Sequence, residues 1–150
     1  METITLQMDE ERELKWTFAA IRKFEKQSRE ILKGLEIKDD KGRYITTVHT
    51  GYVLANFGKI SEIMEAGIAA AAGPSLKGDP SEASKAIDAY LDAGGSLEEL
   101  QRALYRAYLV ANDPSSIAAW EAAIEREAEI QKLNQEKVEI QMEIKREELK

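Results

Sequence analysis

The chain has 150 residues, 43 % of them apolar and 33 % charged, which suits one core or a domain of about 110 residues with a helical extension. Its 21 Lys and Arg against 28 Asp and Glu give a net charge of −7, a field that repels a phosphate backbone and argues against nucleic acid as a partner. Cysteine is absent and His49 is the single histidine, which excludes disulfide scaffolds, thiolate zinc sites, iron–sulfur clusters, thiol nucleophiles and multi-histidine metal centres. The N-terminal stretch mixes acidic and basic groups where a leader would be apolar. The longest apolar run, around Gly67 to Gly73, is too short to cross a bilayer, so a cytosolic chain with no membrane partner is expected.

Residues 3–8 alternate, with Ile4, Leu6 and Met8 on one side and Thr3, Thr5 and Gln7 on the other; residues 13–18 alternate again through Leu14, Trp16 and Phe18. Two period-two runs around the acidic break at residues 9–11 predict an N-terminal β-hairpin, which must pack on other elements to be stable. The period then changes. Thr17 is placed to cap a helix whose inner face is Phe18, Ile21, Phe24, Ile31 and Leu35, with Gly34 near its end. Arg22, Lys26, Arg29 and Lys33 recur on a neighbouring face; with Glu25 and Glu30 interspersed they read as a solvated surface.

Residues 38–43 (K-D-D-K-G-R) are a turn, joining two short strands at residues 35–37 and 44–48 or linking two helices. Asp39 and Asp40 are too few oxygens for a calcium site. Residues 44–72 hold Val53, Leu54, Phe57, Ile60, Ile63, Met64 and Ile68 at helical spacing, as one long helix or two with a break near Gly58. Gly51, Gly58 and Gly67 each weaken a helix by about 1 kcal/mol relative to Ala and make sense where a neighbour approaches closely. The small-residue run 66–73 should be buried, and His49 reads as a partly exposed polar residue.

Residues 73–80 (G-P-S-L-K-G-D-P) form a loop, after which Asp79, Pro80 and Glu82 make a helix start. Ala83, Ile87, Tyr90 and Leu91 form that helix's inner face and Gly94-Gly95 ends it. Ser96 and Glu99 make a second capping box, opening a helix with Leu97, Leu100, Leu104, Tyr108 and Leu109 inward and antiparallel to the helix before it. Asp113-Pro114 is the next stop. Beyond it Ile117, Trp120, Ile124, Ile130, Leu133, Ile140 and Ile144 recur at threes and fours with gaps; Lys137 interrupts the repeat, and Val138, Met142 and Leu149 lie off it. A long polar helix follows, coiled-coil-like with a broken heptad, expected to project and meet another chain. The fold class is therefore mainly α with a small N-terminal β-hairpin (α+β): a bundle domain over residues 1–113 and an extended helix over residues 114–150.

Carboxylate catalysis is the enzyme class to weigh, because acids are plentiful. Glu125, Glu127 and Glu129 fan over several helix faces, however, and a glycosidase needs two carboxylates on one cleft. One histidine cannot build a di-metal carboxylate bundle. Gly73 and Gly78 have phosphate-loop spacing, but Asp79 and Pro80 stand where Lys and Ser or Thr belong. No enzyme activity, cofactor, metal or small-molecule substrate is expected. The candidate partner-binding residues are Trp120, Ile124, Ile130, Leu133, Ile140 and Ile144, with Tyr105 and Tyr108, for which core-edge packing is the competing role.

The pattern L-K-W-T-F-A-A-I-R-K-F-E-K over residues 14–26, behind a strand pair, resembles the start of the siphophage tail assembly chaperones of Gram-positive phages and prophages. The run A-I-D-A-Y-L-D-A-G-G-S-L-E-E-L over residues 86–100, followed by L-x-x-A-Y-L, is similar to the closing part of the same group. The resemblance spans residues 3–112; residues 35–53 and the segment beyond Asp113 carry none of it. It implies a non-enzymatic protein of the bacterial host cytoplasm that binds the long helical tape measure protein and itself, keeps that client soluble, supports tail tube assembly and is absent from the mature virion. The alternative is an acidic helical structural or regulatory protein docking another phage or host factor.

Overall fold

A computed structural model describes residues 4–46, 48–76 and 80–149. It divides into two compact units, Met1–Pro114 and Ser115–Lys150. The fold is mainly helical with one small antiparallel hairpin: β1 (Ile4–Gln7), β2 (Glu11–Leu14), α1 (Phe18–Gly34), α2 (Thr50–Phe57), α3 (Ser61–Ala71), α4 (Pro80–Asp92), α5 (Leu97–Asn112) and α6 (Ile117–Glu148), with short 3-10 turns at Gly73–Leu76 and Pro114–Ser116.

The hairpin pairs Ile4 with Leu14 and Gln7 with Glu11, so β2 begins inside the acidic stretch expected to be the turn and ends before Trp16. Arg12 explains the shift. Its guanidinium makes a two-pronged bond to Asp9 (both 2.7 Å), which lets an arginine that is only 3 % exposed occupy the inner face. Asp9 is thereby held below the usual carboxylate range, chiefly by that hydrogen bond, and Arg12 is raised by the same contact. Lys15 N–H donates to the Ala71 carbonyl (2.9 Å), stitching the exit of β2 to the end of α3.

Thr17 caps α1, its hydroxyl accepting from Ala20 N–H at 3.1 Å. The buried face of α1 is Ala20, Phe24, Ser28 and Leu32, with Ile21 and Ile31 at its edge. This corrects two expected positions. Phe18 is 73 % exposed, with Arg22 lying over its ring, and Leu35 is exposed beyond the last turn. Ser28 and Leu32 take the inner positions because the face advances in steps of four from Ala20; a small hydroxyl residue fits there without apolar character. Helix α1 ends at Gly34, as expected, but the left-handed residue that closes it is Glu36. Ile37 N–H bonds Leu32 O (3.0 Å) and Glu36 N–H bonds Lys33 O (3.1 Å), a Schellman closure with Glu36 at φ 56° where glycine is usual.

Residues 38–43 form a tight loop between α1 and α2, closed by a single antiparallel bridge, Lys38 to Tyr44, with no longer strand pair among the described residues. Asp39 organises it, its carboxylate accepting from Lys41 N–H (2.9 Å) and Arg43 N–H (3.0 Å). Of the two readings of residues 44–72, two helices is the one found. They break at Gly58, where a Cβ would collide with the Leu54 carbonyl and the Gln101 side chain. Gln101 Nε2 donates to that same Leu54 carbonyl (2.7 Å), so a residue of α5 satisfies an end carbonyl of α2.

Helix α3 is the hub of the first unit, packing on α1, α2, α4, α5 and β2. Ala66, Gly67, Ala70 and Ala71 are buried along it, as the small-residue run predicted. A Cβ at Gly67 would lie 3.2 Å from Leu104 and 3.6 Å from Phe24, the side chains of two helices that close onto α3 from opposite elements. Helix α4 begins at Pro80; the Asp79 cap lies outside the described residues. Gly94 at φ 101° ends α4 with a second Schellman pair, Gly94 N–H to Leu91 O (3.1 Å) and Gly95 N–H to Tyr90 O (3.0 Å). The expected antiparallel pairing of α4 with α5 is not the main contact of either helix: α4 packs chiefly on α3 and α5 on α2. Ser96 caps α5 through Glu99 N–H (3.1 Å), while the Glu99 carboxylate accepts the Tyr90 hydroxyl (3.2 Å) from α4. Leu97, expected inward, is exposed in the first turn of α5.

The two ends of the unit meet at Trp16. Its indole N–H donates to the Leu104 carbonyl (3.0 Å) across 88 residues of sequence, and its ring meets Phe24 edge-on at 5.2 Å.

Candidate interaction surface

Helix α6 runs unbroken for 32 residues, about 48 Å, without Gly or Pro. None of its residues is fully buried. Ile130, Leu133, Val138, Ile140, Met142 and Ile144 are each more than half exposed, as is Leu149 at the end, while Trp120 and Ile124 are half-buried. Lone exposed aliphatics are ordinary on protein surfaces; a row of them on one helix is not.

Their phase matters as much as their number. At 3.6 residues per turn, Ile130, Leu133, Ile140 and Ile144 share one face. Trp120 and Ile124 fall on the opposite face, and so do Val138, Met142 and Leu149. The six-residue step from Ile124 to Ile130 carries the pattern around the helix, and no break in α6 absorbs it. The single interrupted seam expected from sequence is therefore two apolar stripes, back to back. Residues read as off the seam belong to the second stripe.

Tyr105 and Tyr108 sit elsewhere. Both are half-buried on α5 and packed against the core, their rings stacked at 6.4 Å and 22°. Tyr108 lies over Gly51 of α2, where a Cβ would approach its ring to 2.8 Å, and its hydroxyl is shifted upward, first by burial and then by the nearby Glu25.

Three carboxylates of the first unit, Asp9, Asp39 and Glu25, are engaged in bonds that hold the fold. Glu25 of α1 reaches the start of α2, accepting from Thr50 N–H (2.8 Å) and the Thr50 hydroxyl (3.2 Å). It supplies the cap that His49 does not, since the imidazole at the cap position is exposed and makes no capping bond. Sequence reasoning missed Glu25, because a cap delivered from another helix leaves no local motif. His49 borders an open depression of about 750 Å³ with Asp39, Arg43, Tyr44, Ile45, Thr46 and Tyr52. A second hollow of about 570 Å³ lies between α1 and α3, lined by the apolar Ile31, Leu35, Ala66 and Ala69 and the acidic Glu30, Glu62 and Glu65, with Gln27 and Gly34. Among the described residues no group of histidines and carboxylates is placed to hold a metal ion, and no helix is long and apolar enough to cross a membrane.

Compared with known proteins, the chain matches no family model, no curated protein and no solved structure.

Proposed function

We propose that this chain is a phage tail assembly chaperone of the bacterial host cytoplasm, which binds the tape measure protein, keeps it soluble and supports tail tube assembly. The observation that carries the reading is α6, a charged helix with two rows of exposed aliphatic side chains. A long apolar helical client presents stripes of the same kind, and helix-on-helix burial of such stripes is a general recognition mode. The net charge of −7 supports the role, since mutual repulsion keeps a complex rich in apolar surface from associating further. The resemblance of residues 14–26 and 86–100 to this family points the same way.

The test is co-expression with a phage tape measure protein. The unaltered chain is expected to move that client into the soluble fraction and to co-purify with it. Trp120→Glu combined with Ile124→Glu is expected to leave the first unit folded and to weaken client retention. Full client solubility with the double variant, or binding with no preference for long apolar helices, refutes the reading.

A further inference from the structure

The stripe of Ile130, Leu133, Ile140 and Ile144 carries more information than its exposure. Written as a heptad, it puts Ile130, Lys137 and Ile144 at one core position (a) and Leu133, Ile140 and Glu147 at the other (d). The flanking positions are then fixed. Glu129, Glu136 and Glu143 occupy every g position, and Asn134, Gln141 and Glu148 the e positions that follow them.

This arrangement distinguishes the two ways in which a copy of the same helix could lie on the stripe. In an antiparallel pair, g faces g, and each contact sets glutamate against glutamate. In a parallel pair, g faces the following e of the other helix, so Glu129 meets Asn134 and Glu136 meets Gln141, which are carboxylate–amide hydrogen bonds. Among these g–e contacts Glu143 against Glu148, at the end, is repulsive; in the seam itself Lys137 and Glu147 each face their own counterpart, a cost in stability that a charged core position carries. Lys137 fits the same orientation: an a-position side chain of a parallel pair borders the preceding g of the other helix, which places its ammonium beside Glu136 of the second copy. A lysine at one a position favours two strands and a single register, and Ile130 with Leu133 is the a/d combination preferred in parallel dimers.

We propose that α6 pairs with α6 of a second copy of this chain as a parallel, in-register, two-stranded coiled coil along Ile130, Leu133, Ile140 and Ile144. In that dimer Val138 and Met142 stand on the outer side, so self-association closes one stripe and leaves the other exposed. The inference stands on the pattern and exposure of α6 and does not depend on the chaperone reading.

The absence of cysteine makes the test clean. Single variants Ile130→Cys and Ile144→Cys of the full chain are placed under mild oxidation at hundreds of micromolar, with mass measured by light scattering. Each variant alone is expected to give a disulfide-linked dimer, because parallel pairing brings a position against itself within disulfide reach. The unaltered chain is expected at twice its monomer mass. Leu133→Ser with Ile140→Ser should return it to a monomer whose first unit melts as before, and Lys137→Ile should tighten the association. Cross-linking only when the two cysteine variants are mixed would show antiparallel pairing and overturn the proposal. A monomer mass for the unaltered chain, or a stable trimer or larger form, would overturn it equally. An unaltered chain that is monomeric and still solubilises the client would refute this inference and leave the proposed function standing.

Discussion

Replacing Trp16 with Phe removes one specific bond and part of one ring. The indole N–H bonded to the Leu104 carbonyl at 3.0 Å is buried, and the residue is 3 % exposed, so water cannot take the place of the lost donor. A buried hydrogen bond of this kind contributes about 1 kcal/mol, and the smaller ring leaves a void costing about another 1 kcal/mol. Edge-to-face contact with Phe24 at 5.2 Å can survive in part, because phenyl presents a similar edge. The sum is about 2 kcal/mol, and a domain of this size shifts its melting temperature by roughly 4 °C per kcal/mol, so a fall of about 8 °C is expected. Trp16→Ala should cost about 4 kcal/mol. Scanning calorimetry of the full chain reads the transition of the first unit directly. A fall of less than about 2 °C for Trp16→Phe would refute the reasoning, since it would mean that the indole does not join hairpin to α5. A double-mutant cycle with Phe24→Leu should return a coupling of about 1 kcal/mol.

Glu36 sits at φ 56°, where a side chain is strained and glycine is not, so Glu36→Gly should stabilise the first unit by about 1 kcal/mol in urea titration. Glu25→Ala strips the cap from α2 and should cost about 1–2 kcal/mol, whereas Glu25→Gln keeps an acceptor and should cost less. Equal losses for the two would show that the bond to Thr50 matters little. Asp9 has its folded pKa depressed by Arg12, so its contribution is fully present above the unfolded value near ~4 and is lost as pH falls through the lower folded value. Unfolding free energies of the unaltered chain and Asp9→Asn, compared by urea titration across the acid range, should differ at neutral pH and converge as the medium becomes strongly acidic.

The elements with local causes were legible in the residues. Thr17 and Ser96 announced their helices because a cap bonds within three residues, and Gly94 announced a stop because its backbone must turn left-handed. The small-residue run in α3 announced its burial, since few charges and no bulk leave it no other use. The length of α6 followed from the lack of any breaker after Pro114. Its two faces were also present in the sequence, but they become distinct only once the helix is known to run unbroken through the six-residue step from Ile124 to Ile130.

What the tertiary structure alone decided was set by residues far apart in the chain. Arg12 could face inward only because Asp9 folds back onto it, and so β2 starts earlier than alternation of apolar residues implies. Phe18 lies outward and Ser28 inward because the face of α1 centred on Phe24 and Leu32 is the one that meets α3. Glu25 became the cap of α2, Gln101 the acceptor's partner at its other end, and α4 settled chiefly on α3. Local rules act through bonds within a turn or two of helix. Which of two comparable surfaces is buried depends on what else arrives there, and that is a property of the packed chain.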